Sequence, residues 1–304
     1  MKMMMHIYLC LVAVLALTAV SCSKKPTDVI PPSSEFPLNV RDDEPAWSPC
    51  GTILSYYEHG LAGSGIYFIN PDGTDKRPFL LNVEFEKLWG SHDWSPDGKW
   101  LVLTELNSRQ IYKIRVAEGD SLTQLTSYGG NSFPSWSPDG KRIAWDTNYN
   151  DSLGANVIWL MNDDGSNKKD ISQHQVGEWR MPDWLPNGRI IHIRYPGDVF
   201  SSEIFIMDSS GLYPVRVTHN NVRDSHPKAS PDGLKIVYTS QAENQAPRVW
   251  VINADGTNPR KLTETGAMNP CWSPDGTKIV YASTVNGRLW IMNADGSNKQ
   301  QLTF

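Results

Sequence analysis

The chain has 304 residues, a net charge of −5, 39% hydrophobic residues, 12 tryptophans and four cysteines. No basic stripe accompanies that balance, which excludes nucleic acid as a partner. Residues 1–21 read as a leader: Lys2 supplies a positive start and Ile7–Val20 an apolar run too short to span a membrane comfortably. Residues 22–42, rich in Ser, Lys, Pro, Thr and Asp, read as a tether, and Pro31-Pro32 keeps it extended rather than packed in a sheet.

From Asp43 to the C-terminus the sequence repeats. Trp-Ser-Pro-Asp-Gly stands at Trp94–Gly98, Trp136–Gly140 and Trp272–Gly276, with near copies at Trp47–Gly51, Trp184–Gly188 and Ala229–Gly233. The six copies lie 42–48 residues apart, a period that signals a propeller or an array. A short apolar strand follows each copy. A second motif comes next, clearest at Leu289–Gly296, with partners at Ile66–Gly73, Ile111–Gly119, Val157–Gly165, Ile204–Gly211 and Val249–Gly256. Units close on a Leu-Thr-like pair, as at Leu125-Thr126, Val217-Thr218, Leu262-Thr263 and Leu302-Thr303. In Ser-Pro-Asp-Gly the proline presets φ, the aspartate bonds its own backbone, and the glycine takes the left-handed conformation that closes a hairpin. Each unit is therefore four antiparallel strands. One such sheet cannot bury both faces alone, and six set radially can, so the expected fold is an all-β, six-bladed propeller over 43–304.

These motifs resemble the WD-repeat-like propeller of the TolB family over the whole repeat region. The leader ends Ala19-Val20-Ser21-Cys22, which resembles a bacterial lipobox with Ala where Leu is usual. That resemblance implies cleavage before Cys22, lipidation of its thiol and, with Ser23 next, an outer-membrane lipoprotein facing the periplasm or the cell surface. The alternative is an ordinary signal peptide with a chance cysteine. Once the leader is set aside, only a tether of about 20 residues precedes the first unit, so the extra N-terminal α/β domain of TolB is not expected. Cys50 and Cys271 fall in blades that become neighbours on ring closure. Their register differs by about four residues, roughly 13 Å along a strand, which argues against a disulfide between them.

Topology places both tight turns of every blade on one face, here called lower, and the long, dissimilar loops on the upper face. The upper face is therefore the expected binding side. His59, His92, His174, His219 and His226 project there, with His192 in mid-strand. The candidate binding set is Trp89, His92, Trp179, Arg180, Arg194, Tyr195, Arg223, Asp224 and His226, with Tyr149, Asp151, Asp198 and Glu243 nearby. Blades four and five break the repeat rules most, at Leu185, Asn187, His192, Arg194 and His226, as functional sites do. His92, His174, His219 and His226 could take a divalent metal only by converging across blades, since no local ligand spacing exists. The bland reading is that polar residues simply collect on loops. The recurrent tryptophans, at one fixed register, read as inter-blade core. Gly-x-Ser-x-Gly is absent, as are a phosphate loop and a dinucleotide fingerprint.

Three functions remain open. The first is a non-enzymatic, monomeric envelope scaffold that holds a protein or peptide partner on the upper face, as the TolB resemblance implies. The second is a metal-dependent lyase resembling oligogalacturonate lyase, in which Arg180, Arg194 or Arg223 would neutralise a uronate. The third is glycan or small-ligand binding on aromatics such as Trp89 and Trp179.

Overall fold

The computed structural model describes residues 41–60, 63–81, 89–117, 121–149, 155–172, 177–195 and 201–304. It contains six four-stranded antiparallel sheets, each built from consecutive strands. The first strands of the blades are Arg41–Trp47, Trp89–Trp94, Asn131–Trp136, Glu178–Trp184, Arg223–Ala229 and Ala267–Trp272. Each of these packs beside the first strands of the two flanking blades, and the sixth returns to the first. They therefore form the inner wall of a closed ring. The expected six-bladed propeller is the observed fold.

Burial on both faces explains the sequence of the second strands. Leu54–His59, Trp100–Glu105, Arg142–Thr147, Ile190–Tyr195, Lys235–Gln241 and Lys278–Ser283 are buried almost throughout rather than on alternate residues. Six separate hydrophobic clusters fill the six gaps between blades. Trp94, Trp136, Trp184 and Trp272 are members and Trp47 packs against one, so the repeated indoles are inter-blade core. At about 1.5–3 kcal/mol for each large apolar side chain removed from water, these layers dominate the stability of the ring.

The turn chemistry repeats atom for atom. In Ser273-Pro274-Asp275-Gly276 the serine hydroxyl donates to Asp275 Oδ1 (2.6 Å) and accepts the amide of Lys278 (2.9 Å), while Gly276 sits at φ +70°. Ser95, Ser137 and Ser230 do the same in their blades. Blade four has Leu185 in place of serine and loses that link. The closing threonine also has a fixed task. Thr126, Thr218, Thr263 and Thr303 each accept the amide that opens the third strand of their own blade, at 2.8–3.0 Å.

Ring closure uses more than side-chain packing. The Asp42 amide donates to the Gly287 carbonyl (2.8 Å), Thr303 Oγ1 donates to Asp42 Oδ2, and Arg288 lies 3.7 Å from the same carboxylate. Asn269 Nδ2 donates to Asp43 Oδ1. The first and last blades are thus bonded as well as packed. Cys271 is a free thiol, in line with the register argument. The leader and residues 22–40 of the expected tether, Cys22 among them, lie outside the described residues, while Arg41 and Asp42, assigned to the tether by the sequence, belong to the first strand.

Candidate functional site

Every inner strand carries a bulge in its pairing with the second strand. In five blades the bulged residue stands before a proline and at positive φ: Glu44 (50°), Phe133 (49°), Met181 (53°), His226 (49°) and Asn269 (52°). Proline disfavours the right-handed helical region for the residue before it, and a bulge relieves the ladder where the proline has no N–H to give. Left-handed backbone at a non-glycine residue is uncommon and re-aims the side chain. The contacts show where these side chains go. His226 Nε2 lies 3.7 Å from Glu44 Oε1, and its ring meets the edge of Phe133 at 5.6 Å. Blades one, three and five are not neighbours, so these contacts cross the central channel. Arg180 lies over Phe133 at 5.9 Å, and the His226 amide faces Met181 Sδ at 3.4 Å. The upper mouth is therefore filled by a plug drawn from blades one, three, four and five.

The plug is close to neutral. Burial, aided by Asp43, pushes the Glu44 carboxyl up to about 8. Burial likewise pulls His226 down to about 4. Both shifts run toward the uncharged forms, so burial favours an acid facing a neutral imidazole over an ion pair. Two residues further down each inner strand lies a charged layer. Lys228 Nζ is 3.0 Å from Asp183 Oδ1. Ser135 Oγ is 3.3 Å from Asp93 Oδ2 and 3.4 Å from Asp183 Oδ1. Burial pulls the Lys228 amine down, but Asp183 and Asp93 outweigh it and hold the amine above its ordinary value. Burial raises Asp93 to about 6 against the pull of Lys228, and raises the Cys271 thiol to about 11. The lower channel is a structural ion cluster with its one lysine shared between blades four and two.

The expected site residues separate into three groups. His92, Trp179 and Asp224 are buried and already engaged. His92 Nε2 bonds Ser55 Oγ at 2.7 Å across the gap between blades one and two, and burial holds its imidazole down at about 4. Trp179 is fully buried, stacked on His192 at 4.6 Å and 4° between rings, with Arg194 also over its ring at 5.1 Å. Asp224 accepts Ser240 Oγ (2.6 Å) and Asn220 Nδ2 (3.0 Å), and burial raises it to about 6. Trp179 is thus core rather than a ligand platform, and His92 and Asp224 are fasteners between elements. Arg180, His226 and, at the edge, Arg223 and Tyr195 do reach the upper surface or its channel mouth. Arg180 also lies 3.8 Å from Asp146, whose carboxyl burial raises to about 6. Third, Asp151, His174 and Asp198 lie outside the described residues, as does the side chain of Trp89. Among the described residues no group of three or more His, Cys, Asp or Glu could hold a metal ion.

Glu44, Phe133, Asn269, Asp183 and Lys228 were missed by sequence reading. Their signal was present, since an x-Pro pair sits two residues before the Trp (or Ala229) in five of six blades. The bias toward blades four and five is half the answer, because blades one and three supply the facing groups.

The TolB beta propeller domain matches this chain over residues 39–188 and 134–304. An uncharacterized protein of Agrobacterium fabrum is 27% identical over 208 residues, spanning 63% of this chain and 67% of that protein. The Tol-Pal system protein TolB of Francisella tularensis subsp. mediasiatica is 29% identical over 178 residues, which is 56% of this chain and 39% of the relative. The crystal structure of TolB from Acinetobacter baumannii superimposes with a TM-score of 0.66 at 20% identity, covering 86% of this chain and 62% of that one.

Proposed function

Since the chain belongs to the TolB β-propeller family, we propose that it is a non-enzymatic scaffold of the bacterial cell envelope, holding a protein or peptide on its upper face. The observation that carries this reading is the plugged mouth. Glu44, Phe133, Met181 and His226 close the channel with neutral and apolar groups packed across the axis. A rigid closed surface ringed by Arg180 and Arg223 suits docking of a partner and leaves little depth for a substrate pocket. The naming of a Francisella relative as a Tol-Pal system protein supports an envelope role. The partner here need not be the same, because this chain spans 39% of that relative. Cys22 would carry the lipid, with 23–40 as the tether that lets a monomeric propeller stand off the outer membrane.

The test is site-directed photo-cross-linking in envelope preparations. A cross-linker at Arg223, on the upper face, should give a discrete protein adduct, and one at Asp232, on a lower turn, should not. Equal labelling from both faces, or stoichiometric metal together with unsaturated products from oligogalacturonate, would overturn the scaffold reading. Separately, Cys22→Ser should abolish labelling by a palmitate analogue and release the protein from membranes.

A further inference from the structure

One feature of the upper face lies apart from the channel, on the rim between blades two and three. Tyr128 is 71% exposed and Tyr149 37% exposed, with ring centroids 6.0 Å apart and planes inclined by 32°. Tyr149 meets Trp159 edge-on at 5.6 Å, and Trp159 leans on the buried Trp145 at 6.1 Å. Four aromatic rings thus run as a column from the inter-blade core into solvent. The backbone beneath them is pinned. Asn131 Nδ2 donates to the Tyr128 carbonyl (2.8 Å), Gln110 Nε2 donates to the Gly129 carbonyl (2.9 Å), and the Gly130 amide donates to Asn148 Oδ1 (2.6 Å). Trp145 Nε1 donates to Asn131 Oδ1 at 2.8 Å, which ties the pin to the core. Arg109 lies against Gly130, close enough that a Cβ there would sit 2.8 Å from the guanidinium carbon. Arg109 is exposed, and among the described residues no carboxylate pairs with it.

Exposed tyrosines on a pinned backbone, beside an arginine that no described carboxylate pairs, are the residue types that dominate binding hot spots, because little backbone freedom is left to lose. Peptides are taken up in a few modes, and the geometry discriminates among them. Strand addition needs an edge to template it. The outer strands here, Thr123–Gln124 and Lys169–Asp170, are two residues long. Helix docking needs an apolar groove, whereas Tyr128 stands proud as a ridge. A polyproline II segment needs neither. It is stiff without internal hydrogen bonds, lays pyrrolidine rings on aromatic faces, and leaves its carbonyls free for tyrosine hydroxyls.

Resting on the reading of the upper face as the docking side, we propose that Tyr128, Tyr149 and Arg109 form a subsite for an extended, proline-rich segment of the partner that carries an acidic residue. The tyrosine shelf takes the prolines and the guanidinium takes the carboxylate.

The probes are two synthetic peptides, a capped decaproline and the same peptide with two internal prolines replaced by aspartate, titrated against the full chain by calorimetry. Saturable binding of both is expected, with the acidic peptide bound several-fold tighter. Tyr128→Ala should weaken both by about tenfold, the effect of losing one hot-spot side chain. Arg109→Ala should erase only the preference for the acidic peptide. Melting temperatures equal to wild type confirm folding, and Tyr149→Ala gives an independent second variant. No saturable binding by wild type, or unchanged binding by both tyrosine variants, overturns the proposal. So does binding of a neutral oligosaccharide such as maltoheptaose, lost in Tyr128→Ala, without peptide binding. Leu234→Ala, 66% exposed on a lower turn far from the shelf, should leave the titration unchanged. Failure here with a successful Arg223 cross-link would remove the subsite and leave the scaffold standing.

Discussion

At the scale of single residues, hydroxyls and imidazoles carry more of this fold than their number suggests. Thr263 Oγ1 accepts the buried amide of Val249 at 3.0 Å. Thr263→Val should therefore strand a buried donor and cost about 1–3 kcal/mol by denaturant titration, whereas Thr257→Ala, on an exposed turn, should cost under about 0.5 kcal/mol. Equal costs would show that the closing threonine is not a fastener. His192 makes a second test. It is fully buried between Trp179 and Phe205, with neither ring nitrogen bonded, and burial, aided by Arg194, pulls its imidazole down to about 3. Between its unfolded value of 6.5 and that folded value, the unfolded chain binds the extra proton, so His192 costs stability as pH falls through this window. Asp42, Asp93, Asp146 and Asp224, each raised to about 6 by burial, work the other way, gaining stability as pH falls from about 6 toward 3.8. The wild-type profile mixes both. His192→Phe removes one side, so its stability relative to wild type should climb by about 1.4 kcal/mol per pH unit on going from pH 6 to pH 4. Parallel profiles for the two proteins would mean that the imidazole is not held neutral.

At the scale of elements, the turn between third and fourth strands does two jobs. Its glycine adopts positive φ and also packs on the carbonyl of the preceding blade's closing strand. Gly256, at φ +84°, would place a Cβ 2.9 Å from the Val217 carbonyl, and Gly296 would place one 3.4 Å from that of Leu262. Gly188, at φ +80° in a first-to-second turn, has nothing within 4 Å. Gly188→Ala should thus cost only its backbone strain, about 1–2 kcal/mol, and Gly256→Ala distinctly more, because a neighbouring blade must also move. Matching melting temperatures for the two variants would separate these turns from the packing of the ring. Such turns explain why the strands were legible in the sequence. Ser, Pro, Asp and Gly specify a reverse turn by chemistry local to four residues, and that chemistry holds whatever surrounds it. The bulge was legible only as punctuation. Each x-Pro pair was visible, but the left-handed residue ahead of it follows from pairing with the second strand, which no four-residue window contains.

At the scale of the whole molecule, closure decides both what was hidden and what holds. The plug meets across the axis, so Glu44, Phe133 and His226 become neighbours only once the ring shuts. Sequence reading found His226 and Arg180 but could not pair them with groups from blades one and three. The same reasoning misplaced Trp179, whose burial depends on blade three lying against it. Closure also concentrates risk at one seam, where the last strand must be held without covalent help. Leu302 belongs to the core between blades six and one, and Thr303 both accepts the Leu289 amide and donates to Asp42. Ending the chain after Lys299 removes one buried leucine, worth about 1.5–3 kcal/mol, and hydrogen bonds worth about 1 kcal/mol each. For a body of this size that corresponds to a fall in melting temperature on the order of 10 °C. The loss should also be uneven. Blade one, whose Asp42 loses its bond from Thr303, should become the first site of limited proteolysis, while blades three and four keep their protection in hydrogen exchange. A truncated chain that melts with the wild type, or that loses protection evenly around the ring, would mean that side-chain packing alone closes the propeller.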